Sequence, residues 1–285
     1  MIIIIIFIII FFLLLITNIQ INEYVAKNIF LDGKTFTYNE IQQKYPLIIN
    51  NHKKPIYVFF HICTQGNNWN KILTSQLKYI ISSGLYDKCT TIWYGCSCNM
   101  CVSLLKDYFA PYDKIKPLQN AMCNEVKSYE NMTLNNMIIF CRELLIDANC
   151  LYIHTKGTTE RSKSQNAWRD YMMHWLVKEH EISLELLNRG FYTVGALYKN
   201  FSIGRHYSGN FFWVKSKYMK NLPIIYNISN RYEAESLIFK NYTPGKHASI
   251  NKDVLFSFLI FHPTQYKEKI NIISQPKENL EYIIV

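Results

Sequence analysis

From Pro55 onward, short apolar runs alternate with stretches in which apolar residues return every three or four positions. Ile56 to Cys63 reads as a buried strand. The face made by Ile72, Leu73, Leu77, Ile80 and Ile81, stopped at Gly84, reads as the helix after it. The unit repeats, with Thr91 to Gly95 predicting a strand and Cys101, Leu104, Leu105 and Tyr108 a helix. A strand around Ala121 to Val126 then leads into a helix carrying Leu134, Met137, Ile138, Cys141, Leu144 and Leu145. Leu151 to Gly157 follows, an apolar strand that breaks off in His154, Thr155, Lys156 and Gly157. After the polar loop TTERSKSQN, one helix is predicted from about Ala167 to Asn188, closed by Gly190. Tyr192 to Leu197 and Phe211 to Val214 are further strands, and Asn230 caps a helix bearing Glu233 and Glu235. Such alternation specifies an α/β fold, a Rossmann-like, mostly parallel sheet flanked by helices.

Upstream, Met1 to Ile16 is unbroken hydrocarbon. As a helix it reaches ~24 Å, slightly less than a typical bilayer core. It has no basic leader, and Tyr24-Val25-Ala26 is a poor cleavage site, so it reads as an uncleaved, single-pass membrane anchor. Too few charges flank it to give an orientation. Residues 17–54 read as a lead-in or stem, with a hairpin signal at Asp32-Gly33 and a short helix opened by Thr37 and Glu40 and ended by Pro46. Residues 55–266 form the main domain and 267–285 a tail.

Composition narrows the partners. The 285-residue chain is 49% hydrophobic and 15% aromatic, enough for a packed core, and carries a net charge of +10. That charge favours anionic partners such as nucleotide phosphates or phospholipid surfaces. No dense Lys/Arg run appears, so no nucleic-acid partner is expected. Neither G-x-G-x-x-G nor G-x-x-x-x-G-K-[ST] occurs, which argues against a dinucleotide oxidoreductase or a P-loop enzyme. The eight cysteines lack the spacing of a small disulfide scaffold. Cys96, Cys98 and Cys101 form C-x-C-x-x-C, but no fourth ligand follows nearby, so no metal site is assigned and reduced thiols are favoured. Cys63, Cys141 and Cys150 fall on core faces.

Chemistry concentrates in three stretches: YIHTKG (Tyr152 to Gly157) with the downstream WRDYMMH, then HYSGNFFW (His206 to Trp213), then RYEAES (Arg231 to Ser236). With NWNKILTSQLKYIISSGLYDK (Asn68 to Lys88) and YENMTL (Tyr129 to Leu134), their order resembles a glycosyltransferase-like family of bacteria and large DNA viruses. That family pairs Y-[IL]-H-[ST]-K-G with W-R-x-Y-M, H-[FY]-S-G-N-F-[FW]-W and R-[FY]-E-A-E. The resemblance covers about residues 55 to 266. It implies a GT-A-like fold that binds a nucleotide-sugar donor at the carboxyl edge of the sheet and passes the sugar to a glycan, lipid or protein acceptor.

The chain departs from the commonest pattern of that fold, because it has no D-x-D and HTK stands where the metal-binding acids are expected. The resemblance therefore implies a metal-independent enzyme in which protein cations steady the leaving diphosphate, with His154, Lys156, Arg169 and His206 as candidates. Ser208, Gly209 and Asn210 bring backbone close to a sugar, and Phe212 or Trp213 offers a flat face for it, while alternation along the strand turns at least one of the two into the core. His61 lies where a base or ribose binds, or is a turn histidine. Glu233 and Glu235 are the candidate bases for the acceptor hydroxyl, although Glu233 also stands at capping-box distance from Asn230. The alternative is a catalytically inactive carbohydrate- or nucleotide-binding module that keeps the fold.

Overall fold

The computed structural model describes residues 33–36, 38–47, 54–96, 101–122, 130–158, 163–201, 204–227, 229–250 and 270–273. In chain order the elements are β1 (Gly33–Phe36), α1 (Tyr38–Lys44), β2 (Ile56–Ile62), α2 (Trp69–Ser82), α3 (Leu85–Lys88), β3 (Thr91–Cys96), α4 (Cys101–Phe109), β4 (Ile115–Met122), α5 (Asn131–Glu143) and β5 (Asn149–His154). They continue as α6 (Lys163–Met173), α7 (His180–Asn188), β6 (Thr193–Ala196), β7 (Tyr198–Phe201), β8 (Gly204–Tyr207), β9 (Phe212–Lys215), α8 (Ser216–Met219), α9 (Arg231–Ser236), β10 (His247–Ile250) and β11 (Ile270–Ile273).

Nine strands form one sheet in the order β1-β11-β10-β6-β9-β5-β2-β3-β4, and β7 and β8 form a separate hairpin. Parallel pairings join β2 to β3 and β5, β3 to β4, and β6 to β10. β9 is antiparallel to both β5 and β6, and β11 to both β10 and β1. Seven of the nine strands therefore point one way, with β9 and β11 reversed, so the mostly parallel α/β sheet expected from the alternation is what forms. The lead-in and the tail each add a strand to it. The partner strand of the hairpin signalled at Asp32-Gly33 and the hydrocarbon run at residues 1–16 lie outside the described residues.

Side chains alternate across the sheet, as a strand's period of two requires. From β2, Val58, Phe60 and Ile62 enter a core with α2, α4, α6 and α7, while Phe59 enters a second core with α5, α8 and α9. The chain steps from β2 outward to β3 and β4 through α2 and α4 on one face. It then returns to the other side of β2 through α5 on the opposite face. Right-handed crossovers that reverse direction must change face. The reversal makes the gap between β2 and β5 a topological switch point, where open α/β sheets bind ligands beyond the carboxyl ends of the strands.

Three elements differ from the pattern in the sequence. β4 begins at Ile115 and includes Lys116, Pro117 and Gln119; of the strand expected around Ala121 to Val126 it contains Ala121 and Met122, and residues 123–126 lie outside the described ones. It is the last strand of the sheet, where a proline needs no ladder partner on its open side. The single helix predicted to Asn188 is broken: α6 passes into a π-helical turn, His174–Lys178, before α7. α5 ends at Glu143, which leaves Leu145 off the buried face and fully exposed.

Candidate functional site

β2 and β5 run side by side with His61 opposite His154 at their carboxyl ends. Thr155 ties the two loops that leave them, its hydroxyl accepting from the Cys63 N–H at 2.7 Å and donating to the Cys63 carbonyl at 3.3 Å. The Thr155 N–H donates to the His61 carbonyl at 3.0 Å. From α2, the Gln76 amide donates to the His154 carbonyl at 3.0 Å. The crevice at the switch point is thus pinned on both sides before any ligand enters.

His154 stands at its centre. Its Nε2 lies 2.9 Å from the Gly209 carbonyl, which can only accept, so Nε2 carries the proton. The same nitrogen is 3.7 Å from the Glu130 carboxylate, and the ring meets Phe211 edge-on at 5.0 Å. Glu130 immediately precedes α5 and accepts a hydrogen bond from the Tyr152 hydroxyl at 2.7 Å. Burial, together with the Glu130 charge, holds the Tyr152 phenol well above its ordinary value, so Tyr152 remains a donor.

The reversed strand β9 begins at this edge, so the turn Ser208-Gly209-Asn210 reaches it. Gly209 has φ of 89°, and a Cβ there would lie 2.5 Å from the Met172 sulfur of α6. Only glycine lets the turn sit against α6 with its carbonyl on His154. Asn210, at φ 56°, is buried with both side-chain amide atoms lacking a hydrogen-bond partner in the protein. The Trp168 indole N–H of α6 is likewise buried without one. Orphaned buried polar groups are uncommon, and a ligand at the site is one way to satisfy them. Lys156 closes the cluster, its Nζ 4.1 Å from the centre of the Trp168 ring.

His154, Lys156, Ser208, Gly209 and Asn210 therefore gather as the sequence suggested, and the other expected residues take different parts. Arg169 is only 5% exposed; its Nη1 is spent on the Lys156 carbonyl and the Asn166 side chain, both at 3.0 Å, so it holds the turn after β5. His61 is 4% exposed with Nδ1 on the Thr133 hydroxyl at 2.9 Å, placing it under the site rather than on its surface. Burial drives its imidazole down to about 4, so it is neutral at pH 7.

His206, one of the expected cations, is only 3% exposed on β8 and donates Nδ1–H to the Gly204 carbonyl at 2.9 Å. Burial lowers its pKa against the pull of nearby Glu235, so it is a poor permanent cation for a diphosphate. Glu235 thus neighbours His206, whereas Glu233 pairs with Lys240 at 3.3 Å. The Asn230 side chain caps α9 by accepting from the Tyr232 N–H at 3.0 Å, so Glu233 does not complete a capping box through that oxygen. Phe212 and Trp213 are fully buried on opposite faces of the sheet and offer no surface to a sugar.

Two further residues of the site escaped the sequence reading. Glu130 looks like an ordinary acid ahead of a helix, where the helix dipole favours one. Its only signal is its place in YENMTL. Thr133 needs Gly95 to reach His61: a Cβ on Gly95 would lie 2.2 Å from the Thr133 hydroxyl. Among the described residues no group of three or more His, Cys, Asp or Glu is arranged to hold a metal ion. Cys96 is disulfide-bonded, so neither a C-x-C-x-x-C thiolate set nor a fully reduced chain describes the end of β3.

A family model described as a domain of unknown function (DUF8361) matches residues 56–251, a span that contains β2 to β10 and every site residue named above. No curated protein matches the chain.

Proposed function

Since the chain belongs to the DUF8361 family, whose description assigns no activity, we propose from the site itself that the protein is a glycosyltransferase of GT-A-like architecture. It takes a sugar from a nucleotide-sugar donor and passes it to a glycan, lipid or protein acceptor without a required metal ion. The observation that carries this reading is convergence. YIHTKG, WRDYM, HYSGNFFW and YENMTL are far apart in sequence, yet they meet within hydrogen-bond or ring-contact distance at the switch point. RYEAES joins them through Asn230, whose carbonyl accepts from the Asn131 side chain at 3.2 Å.

In this reaction the bond from the anomeric carbon to the diphosphate breaks, a bond to the acceptor oxygen forms, and the acceptor hydroxyl loses a proton. Lys156 is the cation we assign to the departing diphosphate, in a role otherwise given to a metal ion, while His154 spends its Nε2–H on the Gly209 carbonyl and so holds the turn in place. Glu130, held by Tyr152 beside His154, is the carboxylate best placed to receive the proton. It replaces Glu233, which is engaged with Lys240.

The test is a thermal-shift series on the full chain in nonionic detergent with UDP-, GDP-, CMP- and dTDP-sugars, in EDTA and in manganese. A ligand that binds only the native state raises the melting temperature as its concentration passes the dissociation constant. A shift with one donor class that survives EDTA, accompanied by slow donor hydrolysis, is the expected result. A shift without turnover points to the inactive binding module, a shift that needs manganese removes metal independence, and no shift with any donor overturns the reading.

A further inference from the structure

The carboxyl edge carries the candidate site, but the opposite, amino edge has a chemistry of its own. The loop from α5 to β5 puts Leu145 at 99% and Ile146 at 62% exposure. Two adjacent aliphatic side chains so placed gain nothing from the fold, since burial is what stabilises such groups. Basic residues share this edge. Arg142 lies one turn back and donates to the Lys220 and Leu222 carbonyls at 3.0 and 2.9 Å, which brings the segment after α8 against the loop. Lys54, just before β2, reaches Asp147 at 3.8 Å. Lys215 ends β9 opposite Asn149, and Lys246 stands just before β10. Lys215 is itself 5% exposed, and its burial, with repulsion from Lys217, Lys54 and Lys246, pushes its ammonium down to about 8. Besides the buried Lys215, this edge thus brings Lys54, Arg142, Lys217, Lys220 and Lys246 to the surface, against the acids Glu143 and Asp147 at the loop.

We propose that this amino edge, with Leu145 and Ile146 at its tip and basic residues along it, docks on an anionic lipid bilayer. Charge complementarity selects the occupant, because an apolar tip on a basic edge matches acyl chains beneath anionic headgroups. The course of the chain agrees. β1 runs in the same direction as β5, so Gly33 enters the sheet at this same edge, and the hydrocarbon run Met1 to Ile16 is joined to it by residues 17–32. β1 and β5 are five strand spacings apart, roughly 24 Å. Those joining residues can span about 55 Å at most, so the run and the tip can enter one bilayer. Docking in this way turns the candidate site away from the lipid surface.

Hydrogen exchange tests this on the full chain reconstituted into vesicles of phosphatidylcholine alone or with 30 mol% phosphatidylserine (about the anionic content at which surface potential becomes appreciable). The expected result is slower exchange across residues 142–148 and 215–222 in the anionic vesicles only, with residues 155–158 and 208–211 unchanged. Leu145→Ser with Ile146→Ser returns exchange to its rate in neutral vesicles. Each basic residue near such a surface contributes about fivefold to the docking equilibrium, so Lys217→Gln with Lys220→Gln lowers it about 25-fold. All four side chains are exposed, so these variants retain the fold. Equal exchange in both vesicle types overturns the proposal, as does failure of the chain to associate with vesicles. Protection that grows with protein concentration in detergent, without lipid, assigns the face to a second copy and also overturns it. None of these outcomes bears on the donor-dependent thermal shift.

Discussion

His61 and His247 are buried imidazoles that the fold accepts only without charge, and acid should expose this. Burial drives His61 down to about 4, and burial with the nearby Arg205 drives His247 down to about 3. His247 shows why geometrically: its Nε2 accepts the Thr243 N–H at 3.2 Å, so its Nδ1–H faces the Thr193 hydroxyl at 2.8 Å, and a second proton would break the first bond. The unfolded chain binds these protons near pH 6.5, so between that value and the folded pKa the unfolded state holds more protons and stability falls as pH falls. Going from pH 7 to pH 5 costs about 2 kcal/mol for each histidine, about 4 kcal/mol together, out of a total of about 5–15 kcal/mol for an ordinary domain. Urea denaturation of the full chain at pH 7, 6 and 5 reads this directly. His61→Gln, which cannot titrate there, should reduce the loss by about 2 kcal/mol. A loss unchanged in that variant would refute the neutral, buried His61, and a stability flat from pH 7 to 5 would refute the account for both.

Two further outcomes follow from the site. Gly95→Ala forces a methyl group onto the Thr133 hydroxyl and should cost about 1–3 kcal/mol in the same denaturation assay; Thr133→Ala in the same chain should recover part of it, and additive losses would contradict the contact. Lys156→Ala should weaken binding of the stabilising nucleotide sugar about 10- to 100-fold in a titration, whereas Glu130→Gln should leave binding within about twofold and reduce turnover about 100-fold or more; an unchanged affinity or an unchanged rate respectively would remove each role.

The frame was legible because each strand and helix before β5 carries its own period, and because a strand that ends in polar residues marks the carboxyl edge. Long-range contacts hid the rest. Nothing local reveals the π-helical turn at His174–Lys178, where the Leu176 carbonyl receives the Trp213 indole N–H from β9 at 2.7 Å. Nor does anything local distinguish Glu130 from an ordinary acid ahead of a helix; only the return of α5 across β2 brings it to His154. The second of the two strand aromatics was misread for the opposite reason. Phe212 and Trp213 suit a sugar by composition, but a strand inside a nine-stranded sheet gives both faces to packing.

The polarity of β9 makes the point most sharply. In HYSGNFFWVK the conspicuous cation is Lys215, and a parallel β9 would carry it to the carboxyl edge and send Gly209 to the amino edge. Because β9 runs against β5, pairing Tyr152 with Phe212 and Asn149 with Lys215, the ends exchange places. The turn at Gly209 meets His154, and Lys215 ends at the amino edge with Lys54, Lys217 and Lys246 near it. One strand direction, set by a crossover that no local pattern encodes, thus assigns one end of the motif to the candidate site and the other to the edge proposed to meet lipid.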